Sequence, residues 1–73
     1  MEHPGLRLKK LREERGITDE ELVKKLYPEI KKQGVNLLIV RAWEAGLDVH
    51  LHDTLLIKLA KFFDVSISYL LGL

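Results

Sequence analysis

RLKKLREERGITDEELVKKL, residues 7–26, reads as two short helices joined by a glycine turn. Leu8 and Leu11, with Leu6 just before the stretch, draw one apolar stripe through an otherwise charged segment, which predicts a helix over about residues 5–15. Gly16 stands where a left-handed residue would end it. Thr18, followed three residues later by Glu21, is a capping-box pair, so the second helix starts at Asp19. Leu22, Val23 and Leu26 supply its inward face. Pro28 predicts a break near Tyr27, although proline can also open a fresh turn from Glu29 to Gln33.

Working outward, the same signals recur. Asn36 is placed to cap a third helix that runs to Ala45 and is closed by Gly46. Asp53 is placed to cap a fourth, through Phe63, whose Leu55, Leu56, Leu59, Phe62 and Phe63 face a core, and Ser66 a short fifth. The reading is an all-α, five-helix fold forming a single domain over residues 1–73, without internal repeat, linker or low-complexity tract.

Composition bounds the function. A chain of 73 residues has room for one small core, and 47% hydrophobic with 32% charged residues marks a globular module rather than a disordered one. No run approaches the ~20 apolar residues of a membrane span. The absence of cysteine excludes disulfides and Cys-based zinc sites, and no segment has a signal-peptide core, so a natural chain of this kind is expected in the cytoplasm. The net charge is only +1, without the basic excess that displaces counterions from DNA. Residues 34–73 carry Arg41, Lys58 and Lys61 against Glu44, Asp48, Asp53 and Asp64, leaving that half net acidic.

RLKKLREERGITDEELVKKL, the WEAG at residues 43–46 and TLLIKLAKFFDVSISYLLG at residues 54–72 together resemble the phage repressor and Cro helix-turn-helix family. The resemblance covers most of the chain and is most specific at its two ends. It implies a repressor-like five-helix bundle in which the second and third helices form the motif and the third lies in the DNA major groove. It also implies that Arg12, late in the first helix, pairs with Glu44 at the end of the third.

The chain departs from the family in two places. Seven extra residues, Tyr27 to Gln33, lie where the family has its tight turn. They either re-aim the third helix or lengthen the second. The third helix is itself unusual. With Glu44 and Gly46 in register, Val40 and Trp43 become its inward anchors, and Asn36, Leu37, Leu38, Ile39, Arg41, Ala42 and Ala45 are left outward. Only Asn36 and Arg41 among these can read a base edge by hydrogen bonds. The family's glutamine at the start of the second helix is Asp19, an anion that repels phosphate.

Three consecutive aliphatic residues sweep through about 200° of a helix and cannot all be core. Leu37, Leu38 and Ile39 are therefore expected to be exposed, forming with Leu47, Val49, Leu51 and the neighbouring His50 an apolar patch of the kind that marks an interaction site. The competing reading makes them core residues of a longer or shifted third helix. The patch points to a protein-binding module, with sequence-specific DNA binding as the alternative. The partner is then a second copy or a regulator. Alternatively the scaffold is one engineered to grip another protein, as binders to viral surface proteins or antibody Fc do.

His50 and His52 with Asp48 or Asp53 invite a metal reading, but three or four convergent ligands are needed, and His3 is expected to fray at the terminus. Histidines beside an apolar interface are also a route to pH sensitivity. No nucleophile–base pair, phosphate loop or inward carboxylate pair is present, so neither an enzyme nor a cofactor is expected.

Overall fold

A computed structural model describes residues 3–73, and among them the chain forms five helices: α1 (Pro4–Glu14), α2 (Asp19–Leu26), α3 (Gly34–Glu44), α4 (Asp53–Phe63) and α5 (Ile67–Leu71). None is long and apolar enough to cross a membrane. α1 begins one residue earlier than the leucine stripe suggests, because Pro4 fits the first helical turn and His3 caps it, Nδ1 accepting from the Gly5 N–H at 2.9 Å. His3 is therefore anchored rather than frayed. Gly16, at φ 65°, ends α1 in the left-handed conformation. Both halves of the Thr18–Glu21 capping box form, each at 3.1 Å, and α2 starts at Asp19 as the sequence indicates.

The inserted residues neither lengthen α2 nor add a helical turn after Pro28. Tyr27 leaves helical geometry at φ −132°, ψ 64°. Gln33 then closes the segment into a loop, its Nε2 donating to the Tyr27 carbonyl at 2.7 Å and the Ile30 carbonyl at 2.8 Å. The Tyr27 side chain turns into the core, with the Lys58 ammonium 5.0 Å from its ring centre. Burial, helped by the nearby Glu29 charge, pushes its hydroxyl pKa up.

Two caps differ from expectation. α3 starts at Gly34, with Gln33 in the cap position, so Asn36 lies inside the first turn and cannot cap. α4 is capped by His52, whose extended backbone lets Nδ1 accept from the Leu55 N–H at 3.3 Å, and Asp53 becomes its first helical residue. The fifth helix is capped by Ser66 as read, Oγ accepting from the Tyr69 N–H at 3.0 Å.

The core draws on every helix. Leu8, Leu22, Val23, Val40, Leu55, Leu59 and Leu70 are fully buried, with Trp43 and Phe63 close behind. α3 packs on both α1 and α2. The approach of α1 to the end of α3 is so close that a Cβ at Gly5 would fall on the Trp43 carbonyl, which explains glycine there. Beside that contact Arg12 meets Glu44 in a bidentate pair, Nε at 3.0 Å from Oε2 and Nη2 at 2.9 Å from Oε1. Its Nη1 donates to the Ile17 carbonyl at 2.8 Å. Glu44 is 7% exposed, the one charged side chain in the buried set among the described residues, and its hydrogen bond holds the Arg12 pKa above the ordinary arginine value. Arg15 closes the far end of α4 by donating to the Phe62 and Phe63 carbonyls, each at 3.2 Å.

Removing one member of a buried pair strands the other. Glu44→Ala is expected to cost about 3 kcal/mol or more, lowering the melting temperature by on the order of 15 °C. Glu29→Ala, at an exposed loop position, should stay within about 0.5 kcal/mol of the parent. Thermal melts followed by circular dichroism check both, and coincident curves for Glu44→Ala and the parent would remove the pair from this role.

Candidate functional site

The register of α3 follows from its anchors. At about 100° per residue, Leu37 falls within about 60° of the buried Val40, whereas Leu38 lies about 160° away. Leu37 and Ile39 are accordingly half-buried and packed on the core, while Leu38 is 67% exposed. The expectation of three exposed aliphatics is corrected to one. Asn36 also turns toward the inward side and is half-buried. α3 is longer than expected at its start, and the added turn brings out Val35, which is 73% exposed. Val35, Leu38, Ala42 and Ala45 thus share the outward line, at a spacing legible only once the helix start is known.

Arg41 stands at the flank of this line and is not free. Its Nε donates to Asp19 Oδ2 at 2.7 Å and its Nη2 to Glu20 Oε1 at 3.3 Å, tying α3 to the first turn of α2. The hydrogen bond from Arg41 holds the Asp19 carboxyl below its ordinary range, and the same bond raises the Arg41 guanidinium. Lys9, Arg12, Asp19, Arg41, Glu44 and Ala45 line a cleft of about 250 Å³ between α1, α2 and α3. The fixing of Arg41 by α2 is a feature sequence reasoning missed, since Asp19 and Glu20 lie 22 and 21 residues away.

The expected apolar patch is broken up beyond Gly46. Leu47 is 57% exposed, but Leu51 belongs to the core. Val49 and His50 line a separate groove of about 330 Å³ with Trp43, Leu56 and Leu71. Asp48 faces His3, Oδ1 at 3.3 Å from Nε2. His52 is occupied in capping α4. Among the described residues no group of three or more His, Cys, Asp or Glu converges on a metal position.

α2, the intervening loop and α3 are thus two packed helices, the second with an outward face clear of the core. A family model described as helix-turn-helix matches residues 8–70. The chain belongs to the helix-turn-helix family. That is a DNA-binding fold, in which the second helix of the motif enters the major groove. Comparison with curated proteins gives no match, and neither does comparison with solved structures. Membership lends no support to a protein partner or an engineered origin.

The Asp19–Arg41 pair has a definite pH signature. Because the folded-state pKa of Asp19 is depressed, the stability it adds is present above the ordinary carboxylate pKa of about 3.9 and is lost as pH falls through the lowered value. Arg41 is exposed and Asp19 only partly buried, so solvent screening keeps the contribution small. Asp19→Asn should therefore be slightly less stable than the parent at pH 7, and the two should converge as pH falls below the ordinary carboxylate range and through the lowered Asp19 pKa. Urea titrations across this range measure the gap, and a constant gap would dissociate it from ionisation of Asp19.

Proposed function

We propose that this helix-turn-helix is a sequence-specific DNA-binding transcriptional regulator that presents α3 to the major groove. What supports the reading is membership of the family across residues 8–70, combined with the clear outward face of α3. The start of α3 adds to it. No side chain caps that terminus and no acid stands in its first turn, while the exposed Lys31 and Lys32 immediately precede it. Free N–H groups at a helix start, with the positive end of the dipole and two ammonium groups beside them, suit a phosphate. Against this, Asp19, Glu20 and Glu21 make the first turn of α2 anionic. Phosphate contacts are therefore few.

A protein partner is the second reading, favoured by the exposure of Val35, Leu38 and Leu47. It takes in a second copy of the chain, a natural regulator, or a target such as a viral surface protein or an antibody Fc for an engineered scaffold. Salt separates the two readings. Phosphate contacts make log K fall with log salt by about 0.9 per contact, whereas an apolar protein interface is nearly indifferent to salt.

Fluorescence anisotropy with duplex DNA from about 50 mM salt upward should show binding with a shallow slope, reduced by about 2 in a Lys31→Ala, Lys32→Ala variant. Lys61→Ala, on α4, should leave the slope unchanged. Absence of binding at the lowest salt would sink the DNA reading. A salt-indifferent protein complex in size exclusion, abolished by Leu38→Asp, would put the second reading in its place.

A further inference from the structure

We infer that this helix-turn-helix recognises thymine through its C5-methyl groups, so that its target duplex carries thymines under the outward line of α3. The inference rests on the DNA-binding reading and names the chemistry of that same face.

Val35, Leu38, Ala42 and Ala45 occupy the outward line, and none has a donor or acceptor in its side chain. Val35 and Leu38 are 73% and 67% exposed, so the larger aliphatics project from the N-terminal half. The small Ala42 and Ala45 let the helix backbone come near whatever lies against the C-terminal half. The two polar residues of α3 that are able to read bases are both diverted. Asn36 is half-buried on the inward side. Arg41 is drawn toward α2 by Asp19 at 2.7 Å and Glu20 at 3.3 Å, with Nε committed.

The major-groove edges of guanine, cytosine and adenine present acceptors and donors, while thymine alone adds a methyl group. An aliphatic side chain pressed against a polar edge removes its water and returns no hydrogen bond, an unfavourable exchange. Against a thymine methyl the same side chain buries apolar surface on both partners. An all-aliphatic line thus discriminates by attraction to methyl groups and by penalty at polar edges.

Replacement of thymine by deoxyuridine removes the methyl and leaves base pairing intact, which provides the test. Duplexes enriched from a randomised pool by the full 73-residue chain would be resynthesised with deoxyuridine at one thymine at a time, and affinities compared by anisotropy. Each methyl under Val35 or Leu38 should be worth about fourfold in affinity, the effect of one buried methylene-sized group. Leu38→Ser should erase the preference for thymine over deoxyuridine at its position without changing helicity or melting, since the side chain is largely exposed. Val35→Ser is the second probe. An enriched duplex indifferent to every deoxyuridine replacement would overturn this inference and leave DNA binding standing. Failure to enrich or bind any duplex would overturn both, and a deoxyuridine effect unchanged in both variants would assign it to the duplex and overturn the contact.

Discussion

The Arg12 guanidinium ties together three parts of the chain that are distant in sequence. It holds the Glu44 carboxylate at the end of α3 with two edges of its fork and the Ile17 carbonyl before α2 with the third. A carboxylate taken out of water is costly to bury, so such a pair contributes little net stability compared with an apolar packing. Its effect is on orientation. A planar guanidinium meeting a planar carboxylate tolerates little rotation, and Glu44 is one residue beyond Trp43, which anchors the same helix end against Gly5. With Glu44 and Trp43 both held, the rotation of α3 about its own axis is set.

That rotation decides what α3 presents. Val40 points to the core, Leu37 and Ile39 lie against its margins, Val35, Leu38 and Ala45 are exposed, and the half-buried Ala42 lies on the same side as they do. The inserted loop contributes at the other end. By closing on Gln33 it lets α3 begin at Gly34, and the extra turn carries Val35 onto the exposed line while placing Lys31 and Lys32 at the helix start. The loop and the buried pair thus act on the two ends of one helix.

The leucine stripe, the Gly16 stop and the Thr18–Glu21 box carried α1 and α2 nearly to their observed bounds, because each is a local signal read within one turn of chain. The pairing of Arg12 with Glu44 was legible only through the family resemblance, since nothing local links residues 32 apart. Caps were less secure. His52 displaced Asp53, and Gln33 displaced Asn36, because a cap is chosen by the backbone path into the helix as well as by residue type. An error of three residues in the start of α3 was enough to hide Val35, whereas the burial of Leu37 beside an exposed Leu38 was already implied by the Val40 anchor at about 100° per residue. The tie from Asp19 and Glu20 to Arg41 was invisible for the same reason as any tertiary contact.

The acidic start of α2 and the aliphatic face of α3 make physical sense together. Generic DNA affinity arises almost entirely from cations on phosphate, and a large generic term competes with any target because non-specific sites vastly outnumber it. Asp19 and Glu20 neutralise Arg41 and repel phosphate at the start of α2, lowering that generic term. The chain's net charge of +1 acts in the same direction. On the proposed reading, what remains is a short-range contribution from aliphatic contact, which falls off within an ångström or two of misfit and is insensitive to salt. Modest in absolute size, it needs only to exceed a generic background that the neighbouring carboxylates have already reduced. Discrimination by methyl contact, as proposed, is therefore compatible with weak overall binding, and in that reading the anions beside α3 become part of the selectivity.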